Sequence, residues 1–284
     1  MAIFLSLLTA AVFGIGDFCG GMAAKRARIP QVVAGSHLVG AVGAVVASFV
    51  LAERFDLGDM LLGIVGGAFG VIGVALLYRR LAVGPMSVVA PLTAITSAVV
   101  PAAWGIAQGE QLSALGWAGI GFALLAVVLV SITADDPGQS APVTPQVIGE
   151  SLLAGAGFGA LFVFFDATSA ASAPWPVAGA RVFTASLLIG FILVTSRRDG
   201  LSVVPTDRGV LWLIALVGLF DTFSNVTFIY ASNLGDLAVV GVLSALYPIS
   251  TVILAAIVLG ERMTRVQGLG FIAAMVGTQL LVMG

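Results

Sequence analysis

Read from the first residue onward, the chain alternates long apolar stretches with short polar connections. Ten stretches are long enough to cross a hydrocarbon layer about 30 Å thick, which takes about 20 apolar residues as a helix: 2–23, 31–51, 60–78, 84–105, 112–132, 147–168, 175–195, 209–230, 236–259 and 265–283. They are continuous rather than alternating, so they predict helices and not the short dyad-patterned strands of a membrane barrel. The longest connection, Thr133 to Gln146, reads TADDPGQSAPVTPQ, and its polar, proline-rich character marks a linker. The pattern therefore predicts an all-α polytopic membrane protein of ten transmembrane helices, with units at 1–132 and 147–284 joined by a linker at 133–146.

Composition narrows the field. The chain of 284 residues is 60% hydrophobic and 9% charged, with a mean hydropathy of +1.14, whereas soluble domains run near ~45–50% apolar and ~25% charged. Twelve basic residues against fourteen acidic ones exclude the basic face of a nucleic-acid binder. One cysteine, Cys19, and one histidine, His37, leave no disulfide, CxxC pair or multi-histidine metal site. The first stretch lacks a basic leader and contains Asp17, which argues against a cleaved signal peptide.

The two units resemble each other. At an offset of 151, Gly109-Glu110 falls on Gly260-Glu261, Gly67 on Gly218, Phe69 on Phe220, Gly84 on Gly235, Val88-Val89 on Val239-Val240, Thr93 on Ser244 and Gly119 on Gly270. Earlier in the units an offset of 144 aligns Pro30 to Gly35 with Pro174 to Gly179 and brings His37 onto Arg181. Lys25, Arg26, Arg28, Arg79, Arg80, Arg197, Arg198, Arg208, Arg262 and Arg265 all fall on one side of the predicted membrane, and Arg54 falls on the other. By the positive-inside rule the ten face the cytoplasm, so both termini are expected outside the cell's inner membrane. Five helices per unit, an odd number, make the second unit inverted relative to the first. Inverted repeats are the plan of secondary transporters whose site lies at the repeat interface near the midplane.

Certain motifs carry a more specific likeness. Gly16-Asp17-Phe18 followed by Gly20-Gly21, Ala82-Val83-Gly84-Pro85, Ala90-Pro91-Leu92 and Gly109-Glu110 occur in the first unit. Leu243 to Pro248, Thr251-Val252 and Leu259 to Arg262 occur in the second. In this order, over the whole chain, they resemble the EamA type of the drug/metabolite transporter superfamily. The resemblance implies a basket of two inverted five-helix repeats, a cavity lined by helices one, three, four, six, eight and nine, and secondary transport, often export, of amino acids, other metabolites or drugs. It does not name the cargo.

Ionisable groups inside spans are costly and should face a cavity or a partner. Asp221, mid-span, shares a helix face with Asn225 four residues on, and this pair is the leading candidate for a substrate wall. Hydroxyls at Thr93 and Ser97 in span four and at Ser244 and Tyr247 in span nine occupy related faces; they bind cargo or tie helices together. Pro91, Pro101 and Pro248 lie in the same spans and are expected to break them in equivalent places. Tyr78 and Trp104 are candidate aromatic walls. Asp17 and Asp166 are candidates for coupling or gating, one toward each mouth, and Arg181 and His37 are candidate partners for them. Glu110 and Glu261 read as structural carboxylates near helix N-termini.

The chain contains no GxxxxGK[ST] motif, and Gly14 to Gly20 misses the dinucleotide fingerprint by one residue and precedes no strand-coupled helix. Ser36 beside the single histidine, His37, points to another helix face, so a serine hydrolase is not supported. The reading is a non-enzymatic transporter without cofactor or metal, working by alternating access on a small-molecule substrate in the lipid bilayer, as a monomer or homodimer, with protons as the candidate coupling ion. The alternatives are an uncoupled facilitator or channel and, more remotely, a membrane structural or sensor partner.

Overall fold

The computed structural model describes residues 1–83, 86–131, 143–199, 205, 207–260 and 263–284. Most of the linker, the Gly84-Pro85 pair, Glu261 and Arg262 lie outside the described residues. Among those described there are eleven α-helices: α1 Ala2–Ala24, α2 Ile29–Leu51, α3 Leu57–Val83, α4 Met86–Ala107, α5 Ala114–Ser131, α6 Pro145–Asp166, α7 Trp175–Asp199, α8 Arg208–Ser232, α9 Leu237–Ser244, α10 Tyr247–Leu259 and α11 Arg265–Met283. With α9 and α10 counted as one broken span, they make ten segments long and apolar enough to cross a membrane. The protein is an all-helical multi-pass membrane protein.

Local chemistry sets several of the ends. Thr144 accepts a bond from the Val147 N–H and is followed by Pro145 at the first helical position of α6. Thr264 and Gln267 form a capping box at the start of α11. Gly260 adopts φ 69° just past α10, the left-handed conformation that ends a helix most cheaply with glycine.

One expectation fails here. The two spans do not break in equivalent places. Helix α4 runs through both Pro91 and Pro101, while the ninth span stops at Ser244 and restarts at Tyr247. A proline removes only one i→i−4 bond, and its neighbours can absorb the clash. In the ninth span the chain tightens into short-range turns, with Leu246 N–H donating to the Leu243 carbonyl and Ile249 N–H to that of Leu246. At the 151 offset Pro248 falls on Ser97, so the residue that opens the new helix has no proline counterpart in α4.

Exchanging α1 with α6, α2 with α7, α3 with α8, α4 with α9–α10 and α5 with α11 maps the principal helix contacts onto one another. The α1/α8 packing becomes α3/α6; α4/α6 becomes α1/α9–α10; α3/α7 becomes α2/α8; α5/α11, α2/α7 and α4/α9 each map onto themselves. The main contacts thus run between the halves, which interdigitate. Small residues permit this. One glycine stripe of α3 (Gly63, Gly67) meets Pro176 and Ala180 of α7, Gly66 meets Phe164 and Leu161 of α6, and Gly155 and Gly159 of α6 meet α4.

The two ends of the bundle differ. Opposite the basic loops, Asp59 accepts bonds from the Ser169 N–H (3.1 Å) and the Ser172 hydroxyl (2.5 Å). Asn233 donates to the Thr168 carbonyl (2.9 Å) and accepts from the Ala170 N–H (3.1 Å). Glu110 accepts from the N–H groups of Leu237 (2.7 Å) and Ala238 (2.9 Å), closing the loop after α4 onto the start of α9. Glu110 thus sits at a helix N-terminus, but that of α9 rather than of α5, the helix that follows it. Toward the basic loops the corresponding tie is Glu150, paired with Arg80 (2.5 Å) and Arg79 (3.6 Å).

Candidate functional site

A cavity of about 180 Å³ lies between the halves. It draws its lining from α1 (Phe13, Gly16, Asp17, Gly20), α2 (Ser36, His37), α3 (Gly67, Gly70, Val71, Val74, Leu77), α4 (Ser97), α6 (Phe158, Leu161, Phe162), α7 (Arg181), α8 (Val217, Asp221, Asn225) and α10 (Tyr247). The resemblance did not implicate helices two and seven, yet they supply a histidine and an arginine. Most of these positions lie from mid-helix toward the basic-loop end, and the opposite end carries the hydrogen bonds described above.

Arg181 and Asp221 form an ion pair between α7 and α8. The carboxylate side chain keeps 29% of its surface exposed and the guanidinium side chain 7%, so the acid faces the cavity and the base stands behind it. Asn225, one turn on from Asp221, donates through Nδ2 to the Asp221 carbonyl (2.7 Å) and to its carboxylate Oδ1 (3.3 Å). Behind Arg181, Nη1 lies 3.4 Å from His37 Nε2, and His37 Nδ1 lies 2.7 Å from the Thr184 hydroxyl. That hydroxyl donates to the Ala180 carbonyl (2.9 Å), so it must accept from His37 Nδ1–H. Nε2 is then left as an acceptor for the arginine. The chain of bonds fixes a neutral imidazole that orients Arg181.

Two atoms of this cluster, Arg181 Nε and Asn225 Oδ1, are buried without a partner. Unpaired buried polar groups are costly and uncommon; here one is a donor and the other an acceptor, on residues that both line the cavity. Asp17 shares the cavity and is close enough to Asp221 to interact with it electrostatically.

The expected site residues divide on inspection. Asp17, His37, Ser97, Arg181, Asp221, Asn225 and Tyr247 all line the cavity. Thr93 does not: its hydroxyl donates across to the Ser151 carbonyl (3.2 Å), tying α4 to α6. Ser244 is fully buried at the end of α9 and is not among the lining residues. Trp104 is 49% exposed on the outside of the bundle, the position of an interface anchor rather than a cavity wall. Asp166 ends α6 at the end away from the basic loops, bonded to Ser232 and near Glu110, and not in the cavity. The side chain of Tyr78 lies outside the described residues. The aromatic wall instead consists of Phe13, Phe158 and Phe162, with Phe162 stacked on Phe228 at 4.3 Å between centroids.

The model of the EamA-like transporter family matches residues 148–283, from the first turn of α6 to the end of α11. Those residues are EamA-like. The match supports a membrane transporter of the drug/metabolite transporter type, a family of transporters rather than enzymes. No curated protein matches the sequence. Among 27 matching chains of solved structures, one crystal structure superposes with a TM-score of 0.77, covering 99% of this chain and 96% of its own at 18% identity. At that identity the likeness is one of fold, and it extends through the first half as well as the second.

Proposed function

We propose that this protein exports a small zwitterionic metabolite, such as an amino acid, across the inner membrane in exchange for protons, by alternating access around the central cavity. The observation that carries the reading is the Arg181–Asp221 pair with its two unsatisfied neighbours, Arg181 Nε and Asn225 Oδ1. In the empty site the two charges neutralise each other. A zwitterion can part them at little electrostatic cost, its carboxylate accepting from the guanidinium, Nε–H included, and its ammonium donating to Asp221 and to Asn225 Oδ1. Each charge leaves one partner and gains another, which limits the desolvation penalty that would oppose binding of a singly charged solute.

Proton coupling follows from the charge count of the lining. Asp17 and Asp221 against Arg181, with His37 neutral, give the cavity one net negative charge. A net charge inside a membrane bundle is unfavourable, so the empty cavity favours a proton; a zwitterion adds no net charge, and it competes with that proton locally, its ammonium group taking the carboxylate that the proton would hold. That competition makes protons and cargo alternate, as an antiporter requires. The positive-inside rule puts the basic loops in the cytoplasm and both termini outside, so the cavity loads from the cytoplasm. The hydrogen-bonded opposite end supports a carrier over an open channel.

Reconstituted protein decides the matter. With labelled amino acids in proteoliposomes, an imposed pH gradient should drive accumulation, and unlabelled substrate on the far side should accelerate exchange. Asp221→Asn should reconstitute normally and lose both. Wild-type transport by Asp221→Asn would dismiss Asp221 as a working group, and flux without trans-stimulation would dismiss the carrier reading.

A further inference from the structure

We infer that Gly70 sets the length of apolar group that the cavity accepts, and that the cargo is an amphipathic zwitterion whose apolar end lies against α3 and α6. The inference rests on the zwitterion reading above and adds to it the far wall of the same cavity. At the 151 offset Gly70, Val71 and Val74 of α3 are the counterparts of Asp221, Thr222 and Asn225 of α8. Helix α3 packs on α6 and α7, and α8 packs on α1 and α2, so the two counterparts present different chemistry to one cavity. The α8 side offers a carboxylate and an amide. The α3 side offers Gly70, Val71 and Val74, continued by Phe158, Leu161 and Phe162 of α6.

Gly70 differs from the glycines near it on α3. A Cβ at Gly73 would meet the Ala154 carbonyl oxygen at 2.8 Å, and one at Gly67 would meet Ala180 Cβ at 2.9 Å and Cα at 3.0 Å. Both are contacts with the neighbouring helix that cannot give way without separating the helices. The three atoms nearest a Cβ at Gly70 all belong to the side chain of Leu161, with Cδ2 at 3.2 Å and Cβ and Cγ at 3.8 Å. The terminal methyl can move by the few tenths of an ångström required, and it moves within the cavity lining. Helix packing therefore does not demand glycine at this position, and glycine weakens a helix relative to alanine. What the missing methyl leaves is room, shared between the Leu161 side chain and whatever lies beside it in the cavity.

The test uses the full-length protein purified in detergent, with L-alanine, L-norvaline, L-norleucine and L-phenylalanine as ligands and thermal stabilisation converted to apparent affinity. For the wild type, affinity should rise along the straight-chain series. In Gly70→Ala the ratio of norleucine to alanine affinity should fall at least tenfold, and in Leu161→Ala it should rise. If Gly70→Ala fails to fold, Leu161→Ala carries the test alone, and an unchanged ratio in that variant overturns the inference. A series that binds the wild type but keeps the same ratio in both variants overturns the role of Gly70 and leaves the zwitterion reading standing. If none of the four ligands stabilises the wild type, both readings fall together.

Discussion

Helices α3 and α8 hold corresponding places in the two halves yet have opposite character where they meet the cavity. Both carry the Gly-x-Phe element that aligns the repeats, Gly67 to Phe69 and Gly218 to Phe220, and each packs on the first and second helices of the other half. One then continues with glycine and valine, the other with Asp221, Thr222 and Asn225. Gly67 of the shared part packs on Ala180 at the edge of the cavity, and of the part that diverged Asp221 and Asn225 face it. A pseudo-symmetric scaffold can thus enclose a cavity whose lining is one-sided.

The largest break in that comparison comes from removing the base behind the polar wall. Arg181→Met leaves Asp221 as a half-buried carboxylate without its counter-ion, and breaking such a pair from one side costs up to about 3–5 kcal/mol. Thermal or chemical unfolding in detergent should register that loss. The double variant Arg181→Met with Asp221→Leu gives α8 an apolar wall like that of α3 and should recover most of the stability while binding no zwitterion. A double variant no more stable than the single one would show that the pair's charges are not what couples the two positions. A smaller break is His37→Phe, which removes the acceptor of Arg181 Nη1 and the donor to Thr184. Orphaning a buried polar group costs about 1–3 kcal/mol. Because His37 positions the arginine, the variant should weaken binding of carboxylate-bearing ligands more than binding of simple amines.

How much of this could be read from residues alone depends on what each residue's type constrains. Asp221 and Asn225 were legible because a carboxylate and an amide one turn apart in an apolar span must share a partner or a cavity. His37 and Arg181 were legible as counterparts through the 144 offset, and the structure brings them to within 3.4 Å of each other. Thr93 was not legible, because a hydroxyl on a helix face satisfies itself equally well on a neighbouring carbonyl, and here it uses that of Ser151. Glu110 was readable as a carboxylate near a helix start, but nothing in its local sequence points to α9, more than a hundred residues away. Phe13, Phe158 and Phe162 were invisible because lipid, core and cavity wall all accept phenylalanine. The break after Ser244 was foreshadowed by Pro248, whereas the intact α4 shows that a proline permits a break without imposing one.

The smallest predicted effect tests the far wall. Val74 of α3 is the counterpart of Asn225, lines the cavity and is partly exposed. Val74→Asn therefore makes α3 resemble α8 at one position with little change in volume. If the cavity holds water, the new amide finds partners there and stability should change by less than about 1 kcal/mol. The control is Val127→Asn, at a fully buried position of α5 within the apolar cluster that α5 shares with α11. There no water can reach the amide, and the expected loss is about 1–3 kcal/mol for the unsatisfied group. Unfolding of both variants in the same detergent compares them directly. Equal losses would mean that the α3 side of the cavity is as dry as a helix interface.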